Sequence, residues 1–157
     1  MRTAVLILLS TFGLQAKLSL KQVREAYFRA ATSKDESSRL SHLLDTVGEK
    51  SDPVILCYKG AAEMLKAKYA VNPFAKMSWF NKGRDLIERS ILRDTSCVES
   101  RFVRFTIQRN LPGFLGYDQN IRKDSSMIAE RLQSMADTDL RSRIGHYFTR
   151  LSAGIKN

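Results

Sequence analysis

Asp52-Pro53-Val54-Ile55-Leu56-Cys57-Tyr58-Lys59-Gly60-Ala61-Ala62-Glu63-Met64-Leu65-Lys66-Ala67-Lys68-Tyr69 decides how this chain folds. An Asp can accept hydrogen bonds from the free amides of a first helical turn, and Pro suits the first position because its missing N–H is not needed there. Tyr58, Ala61, Ala62, Leu65 and Tyr69 then recur at spacings of three and four, the period of a helix with one buried face. Asn72-Pro73 marks its end, because Pro disfavours helix at the residue before it.

The same period runs outward in both directions. Toward the C-terminus it is carried by Trp79, Phe80, Gly83, Leu86, Ile87 and Ile91. Ser96-x-x-Glu99 has the form of a capping box, opening a helix with Val98, Phe102, Phe105 and Arg109 on one stripe. Leu111-Pro112-Gly113 breaks that helix. Ile121, Ser125, Ile128, Leu132 and Met135 form the next stripe, and Asp137-Thr138-Asp139 caps the last, with Leu140, Ile144, Tyr147, Phe148 and Leu151. Toward the N-terminus, Leu20, Val23, Tyr27 and Ala30 make one helix. Leu40, Leu43, Leu44 and Val47 make another, stopped at Gly48. No alternating run of strand length remains, so the pattern predicts an all-α fold of seven helices.

Alternate helices start near residues 19, 53, 97 and 139, a rhythm of helical hairpins. Three hairpins and a C-terminal capping helix give a short right-handed solenoid, in which each hairpin buries its inner face against the next. At 157 residues the chain suits one domain. Two His, two Cys, three Pro and eight Gly exclude a zinc ribbon, speak against a haem or metal enzyme, and do not suit a turn-dense sandwich.

Residues 1–16 differ from the rest. Arg2 precedes the apolar run Ala4-Val5-Leu6-Ile7-Leu8-Leu9, Phe12 and Leu14 extend it, Ala16 closes it, and no acid occurs before Glu25. Basic start, short apolar core and small closing residue are the layout of a secretory signal. The core is shorter than the roughly 20 residues a membrane-crossing helix needs. This predicts a signal peptide over 1–16, a single helical domain over 17–157 and export to the periplasm or cell envelope. The other reading of the segment is an uncleaved amphipathic or buried first helix. Lys and Arg outnumber Asp and Glu by 26 to 16, a net charge of +10, and loss of Arg2 leaves about +9. In an exported protein this points to an unidentified protein or an acidic envelope component as partner, and away from nucleic acid.

Phe80-Asn81-Lys82-Gly83, Ile87, Ser90 and Arg93-Asp94-Thr95-Ser96 resemble the second helix of a tetratricopeptide repeat. The resemblance covers roughly residues 53–130. It implies close helix packing at Gly83 and Ser90, and a concave groove lined by the first helix of each hairpin. Asn72-Pro73-Phe74-x-Lys76, Arg101-Phe102-x-Arg104, Gln108 and Pro112-x-Phe114-Leu115-Gly116-Tyr117 are similar to stretches of small exported bacterial proteins. That likeness implies fold and export, and no reaction.

Candidate sites follow. Arg101, Arg104 and Gln108 share a helix face, and two guanidinium forks can grip a carboxylate or phosphate. In a tetratricopeptide-like stack they line the groove with Lys59 and Lys66, and Tyr117 completes a partner-binding set. The other reading is a solvated face, or internal pairing with Glu63 and Glu99. Phe114, Leu115 and Tyr117 either fold back as a lid or mark a patch, and Phe74, Trp79 and Phe114 together form an aromatic corner. The segment from Asn72 to Ser78 reads as a lengthened hairpin connection. His42 and His146 have no nucleophile in a recognisable elbow, and no glycine-rich phosphate loop occurs, so no catalytic residue is assigned and the expectation is a non-enzymatic interaction protein. The alternative is a small-ligand binder or unrecognised enzyme using the arginines as an anion clamp. Cys57 and Cys97 open the first helices of adjacent hairpins. They are either a disulfide, which needs Cα atoms within about 7 Å, or two separate core thiols.

Overall fold

The computed structural model describes residues 18–154, and every regular element among them is helical. The proposed signal segment lies outside the described residues. The elements are α1 (Leu20–Ala30), α2 (Lys34–Leu43), α3 (Pro53–Tyr69), α4 (Pro73–Arg93), α5 (Val98–Asn110), α6 (Ile121–Arg131) and α7 (Thr138–Ser152), with 3-10 turns at Gly113–Leu115 and Leu132–Ser134. No described helix is long and apolar enough to cross a membrane.

The start signals act largely as chemistry dictates. Asp52 accepts from the amides of Val54 and Ile55, and Asp137 from that of Leu140. Asn72 accepts from Phe74 and Ala75, and Pro73 is the first residue of α4. The expected long connection from Asn72 to Ser78 is therefore helix. The same Asn-Pro pair that stops one helix starts the next, and the turn between α3 and α4 is short. The expected capping box does not form either. Cys97 is the N-cap of α5, its Sγ accepting from the Ser100 amide, while Ser96 bonds Asp94. Glu99 is drawn inward by a stronger partner, Arg24.

Neighbouring helices pair as α1 with α2, α3 with α4, and α5 with α6. The α3–α4 pair packs most closely. A Cβ on Gly60 would meet the Gly83 carbonyl oxygen at 2.7 Å, and one on Gly83 would meet that of Gly60 at 2.6 Å. The two backbones thus touch where only hydrogen fits. Ser90 adds a second close approach, its hydroxyl donating to the Pro53 carbonyl at 2.7 Å. One apolar cluster fills the space among α1–α4 around Leu40, Leu44, Leu56, Tyr58 and Ile87. A second joins Phe102 and Phe105 of α5 to Ile128 of α6 and Leu140 and Ile144 of α7. Its rings pack edge-on and stacked, Phe105 lying 5.2 Å from Phe148.

Helix α5 is the central element. Glu99, Ser100, Arg101, Phe102, Val103, Arg104, Phe105 and Gln108 are all buried, so its neighbours surround it. Helix α7 covers its aromatic side and reaches back to α1. Arg24 of α1 meets Asp137 at 3.0 Å, and Arg143 of α7 meets Glu25 at 2.6 Å and lies over the Phe28 ring.

Candidate functional site

Four charged side chains and a tyrosine meet between α4, α5 and α6. Asp124 of α6 is wholly inaccessible to solvent. A carboxylate taken out of water needs close, directed partners. Arg101 donates to it at 2.8 Å, and Arg104 donates through two nitrogens at 2.7 and 2.8 Å, a forked pair. Arg104 also donates to Glu88 of α4 at 2.6 Å, and the Tyr117 hydroxyl donates to the other oxygen of Glu88 at 2.6 Å. Arg101 spends its remaining nitrogens on the Thr95 carbonyl. Two cations thus face two anions. Burial alone pulls the Arg104 guanidinium toward losing its proton; the Asp124 bond and charge, with Glu88, outweigh it and hold the proton more firmly than usual. Burial, and then the Glu88 carboxylate, push the Tyr117 hydroxyl well above the usual phenol range.

The arginine face is therefore turned inward. Arg101 and Arg104 are 6% and 3% exposed, and they hold an internal carboxylate where an open groove was expected. The reason is the hairpin partner: α6 places Asp124 against the same face. Internal pairing is the geometry, but with Asp124 and Glu88 rather than with Glu63 and Glu99. Gln108, one turn further, is also buried, and neither its amide oxygen nor its nitrogen has a hydrogen-bond partner.

Glu99 anchors a second buried cluster. Arg24 grips it with two bonds of 2.8 and 2.9 Å, and the Tyr58 hydroxyl donates to it at 2.7 Å. The Glu99 hydrogen bond, acting against desolvation, raises the Arg24 pKa further. Glu63 is buried too, with Lys66 at 3.2 Å and Lys82 at 3.0 Å. Both ammonium groups lie over the Trp79 ring, at 4.8 and 5.2 Å. Lys59 turns to the end of α2, donating to the Leu44, Asp45 and Val47 carbonyls. Burial lowers its pKa. Neither Lys59 nor Lys66 stands with Arg101 in a shared groove.

The apolar loop after α5 divides. Leu115 and Tyr117 fold back, and Tyr117 lies edge-on to Phe80 at 6.2 Å between ring centres. Phe114 between them is 87% exposed. The 3-10 turn sets this alternation, and Gly116 closes it with φ of 59°, a left-handed conformation that suits glycine. Phe74, on the first turn of α4, is 86% exposed. Of the three rings expected to form an aromatic corner, Phe74 and Phe114 are exposed, whereas Trp79 is half-buried under its two lysines and faces the cleft toward α2.

Cys57 is buried, its thiol reaching the Ser100 carbonyl at 3.7 Å, and Cys97 is half-buried; both are free thiols. Burial pushes the Cys57 thiol up to about 12. His42 and His146 lie at the surface, His42 beside Asp45. Among the described residues no group of three or more His, Cys, Asp or Glu could hold a metal ion. An open cleft of about 340 Å³ runs between α2 and the α3–α4 pair, lined by Lys34, Ser37, Ser41, His42, Lys66 and Trp79. None of Arg101, Arg104 and Tyr117 lines it. No family model, curated protein or solved structure matches the chain.

Proposed function

We propose that the chain is a non-enzymatic, exported interaction protein built as a short stack of tetratricopeptide-like helical hairpins, and that it binds an acidic partner through its exposed Phe74 and Phe114 rings. The observation that carries this reading is the division of the loop after α5: Tyr117 is buried beside Phe80 while Phe114 stands 87% exposed, matched by Phe74 at 86%. Exposing two large rings gives up about 1.5–3 kcal/mol of burial each, a loss that a binding surface recovers on contact. The N-terminal layout supports export, and the excess of Lys and Arg supports an acidic partner.

The anion-clamp alternative is less well supported. Both arginine forks are already engaged by Asp124 and Glu88, so an external anion would have to displace an internal carboxylate.

A photo-reactive residue placed at position 114 tests the reading in an envelope extract. It should capture a partner that the same residue at exposed position 42 does not, and added salt should reduce the yield. Equal capture from the two positions refutes it.

A further inference from the structure

The exposed rings belong to a larger feature. Helices α3 and α5 start at the same end of the fold, since Cys57 meets Ser100 near the first turn of each. Their C-termini therefore share the opposite end. Lys68, in the last turn of α3, donates to the Ala31 carbonyl just past α1, so the α1–α2 turn lies there too. All three turns within the hairpins thus gather at one end of the molecule.

That end is both apolar and basic. Val71, Phe74 and Met77 follow one another at intervals of three across the α3–α4 turn and are 97%, 86% and 47% exposed; Phe114 rises from the α5–α6 loop. Lys68, Lys76, Arg109, Arg122 and Lys123 are exposed on the same turns and the adjoining helix ends. From Met64 to Arg84 no acid occurs, nor any from Arg101 to Tyr117; Asp118 in the α5–α6 loop and Asp35 at the start of α2 are exposed acids on these turns, fewer than the cations around them. Glu36 on the neighbouring turn is engaged by Arg39 and Arg29.

Resting on the acidic-partner reading above, we propose that this end docks on an anionic lipid surface, with Phe74 and Phe114 entering the headgroup layer and the surrounding cations meeting its phosphates. Charge complementarity selects this occupant. A second copy would bring the same cations face to face, which like charges oppose. The apolar side chains project from two separate turns rather than lining a groove. A deformable interface receives such side chains while the long Lys and Arg stems lie along it.

The test is flotation of the full chain with vesicles of phosphatidylcholine, alone or mixed with phosphatidylglycerol. The N-terminal apolar segment is the same in every variant, so differences report on the docking end. The chain should float with the mixed vesicles and at least tenfold less with phosphatidylcholine alone. Phe74→Ser with Phe114→Ser should weaken binding about tenfold per ring, the low end for burying that side chain. Lys76→Gln with Arg109→Gln should weaken it about fivefold per cation. Circular dichroism checks that these exposed positions leave the fold intact. Equal flotation of the wild type and the double phenylalanine variant, or equal binding to both kinds of vesicle, overturns the lipid inference. Poly-glutamate beads separate the two readings. Retention that needs the same rings and cations, without vesicle binding, sinks the lipid surface and keeps the acidic partner. Vesicle binding and bead retention that both ignore these substitutions sink both.

Discussion

Asp124→Asn removes one charge from the inside of the protein and little volume, and its effect can be worked from the geometry. The carboxylate accepts three bonds from Arg101 and Arg104 at 2.7–2.8 Å with no access to water. Bonds to charged groups contribute about 1.5–3 kcal/mol each, and the desolvation of the carboxylate opposes their sum. An Asn oxygen still accepts from one fork, but its NH2 then points at a guanidinium nitrogen. The two arginines are left with Glu88 alone as a counter-charge. Breaking a buried pair in this way costs about 3–5 kcal/mol, and the retained acceptor argues for about 3. With a urea slope of about 2 kcal/mol per M, the unfolding midpoint should fall by about 1.5 M at unchanged slope. Asp118→Asn, at an exposed position in the loop before α6, should stay within about 0.5 kcal/mol of wild type. Replacing Arg101, Arg104 and Asp124 together by Leu or Met, with Glu88→Gln to remove the charge that Arg104 had paired, should recover much of the loss, because no unpaired charge then remains in the cluster. A loss below about 1 kcal/mol for Asp124→Asn would refute the reasoning, since the arginines would then have another counter-charge or open access to water.

Two further outcomes follow from packing. Gly83→Ala should destabilise by at least about 1–3 kcal/mol in thermal or urea unfolding, because its Cβ would lie 2.6 Å from a backbone oxygen that cannot move aside; Gly145→Ala, with nothing within 4 Å inside α7, should be neutral or stabilising by up to about 1 kcal/mol, and the reverse order would show that α3 and α4 do not touch at the glycines. In the native chain a thiol reagent should modify half-buried Cys97 and spare Cys57, and unfolding without reductant should release two thiols, whereas none in a monomer would establish a bridge.

The helices were legible because their signals are local. Asp52-Pro53 and Asp137 act within one turn, and the three-four spacing needs no knowledge of the neighbours. Asn72-Pro73 carries two signals at once: Pro disfavours the helix behind it and favours the one ahead, and the stop alone does not show that the next helix begins at the same residue. Glu99 shows the limit more sharply. Its spacing from Ser96 fits a capping box, but Arg24, 75 positions away, holds it with two charged bonds against the single weak bond a cap offers. The arginines failed as a site for the same reason. Their i, i+3 spacing puts them on one face but does not say what lies opposite. A signal for the partner existed: Asp124 stands between Ile121 and Ile128 at core spacing, an acid in an apolar register that needed cations across from it. Phe114 and Tyr117 were separable only by the turn, since alternation along a short loop does not show which side is inward.

The return of α7 to α1 changes how the molecule can come apart. An array whose parts touch only their neighbours can shed its end units one at a time. Here Glu25 and Arg143, 118 positions apart in sequence, are bonded, and Arg24 holds both Glu99 and Asp137. Peeling away the last helix uncovers the aromatic side of the central helix and also strips the first helix of its charge partners. Among the described residues, loss of α7 is therefore felt at α1, and loss of α1 at α7. Successive helical hairpins are thereby tied from first helix to last by charge pairs, as well as each to its neighbour.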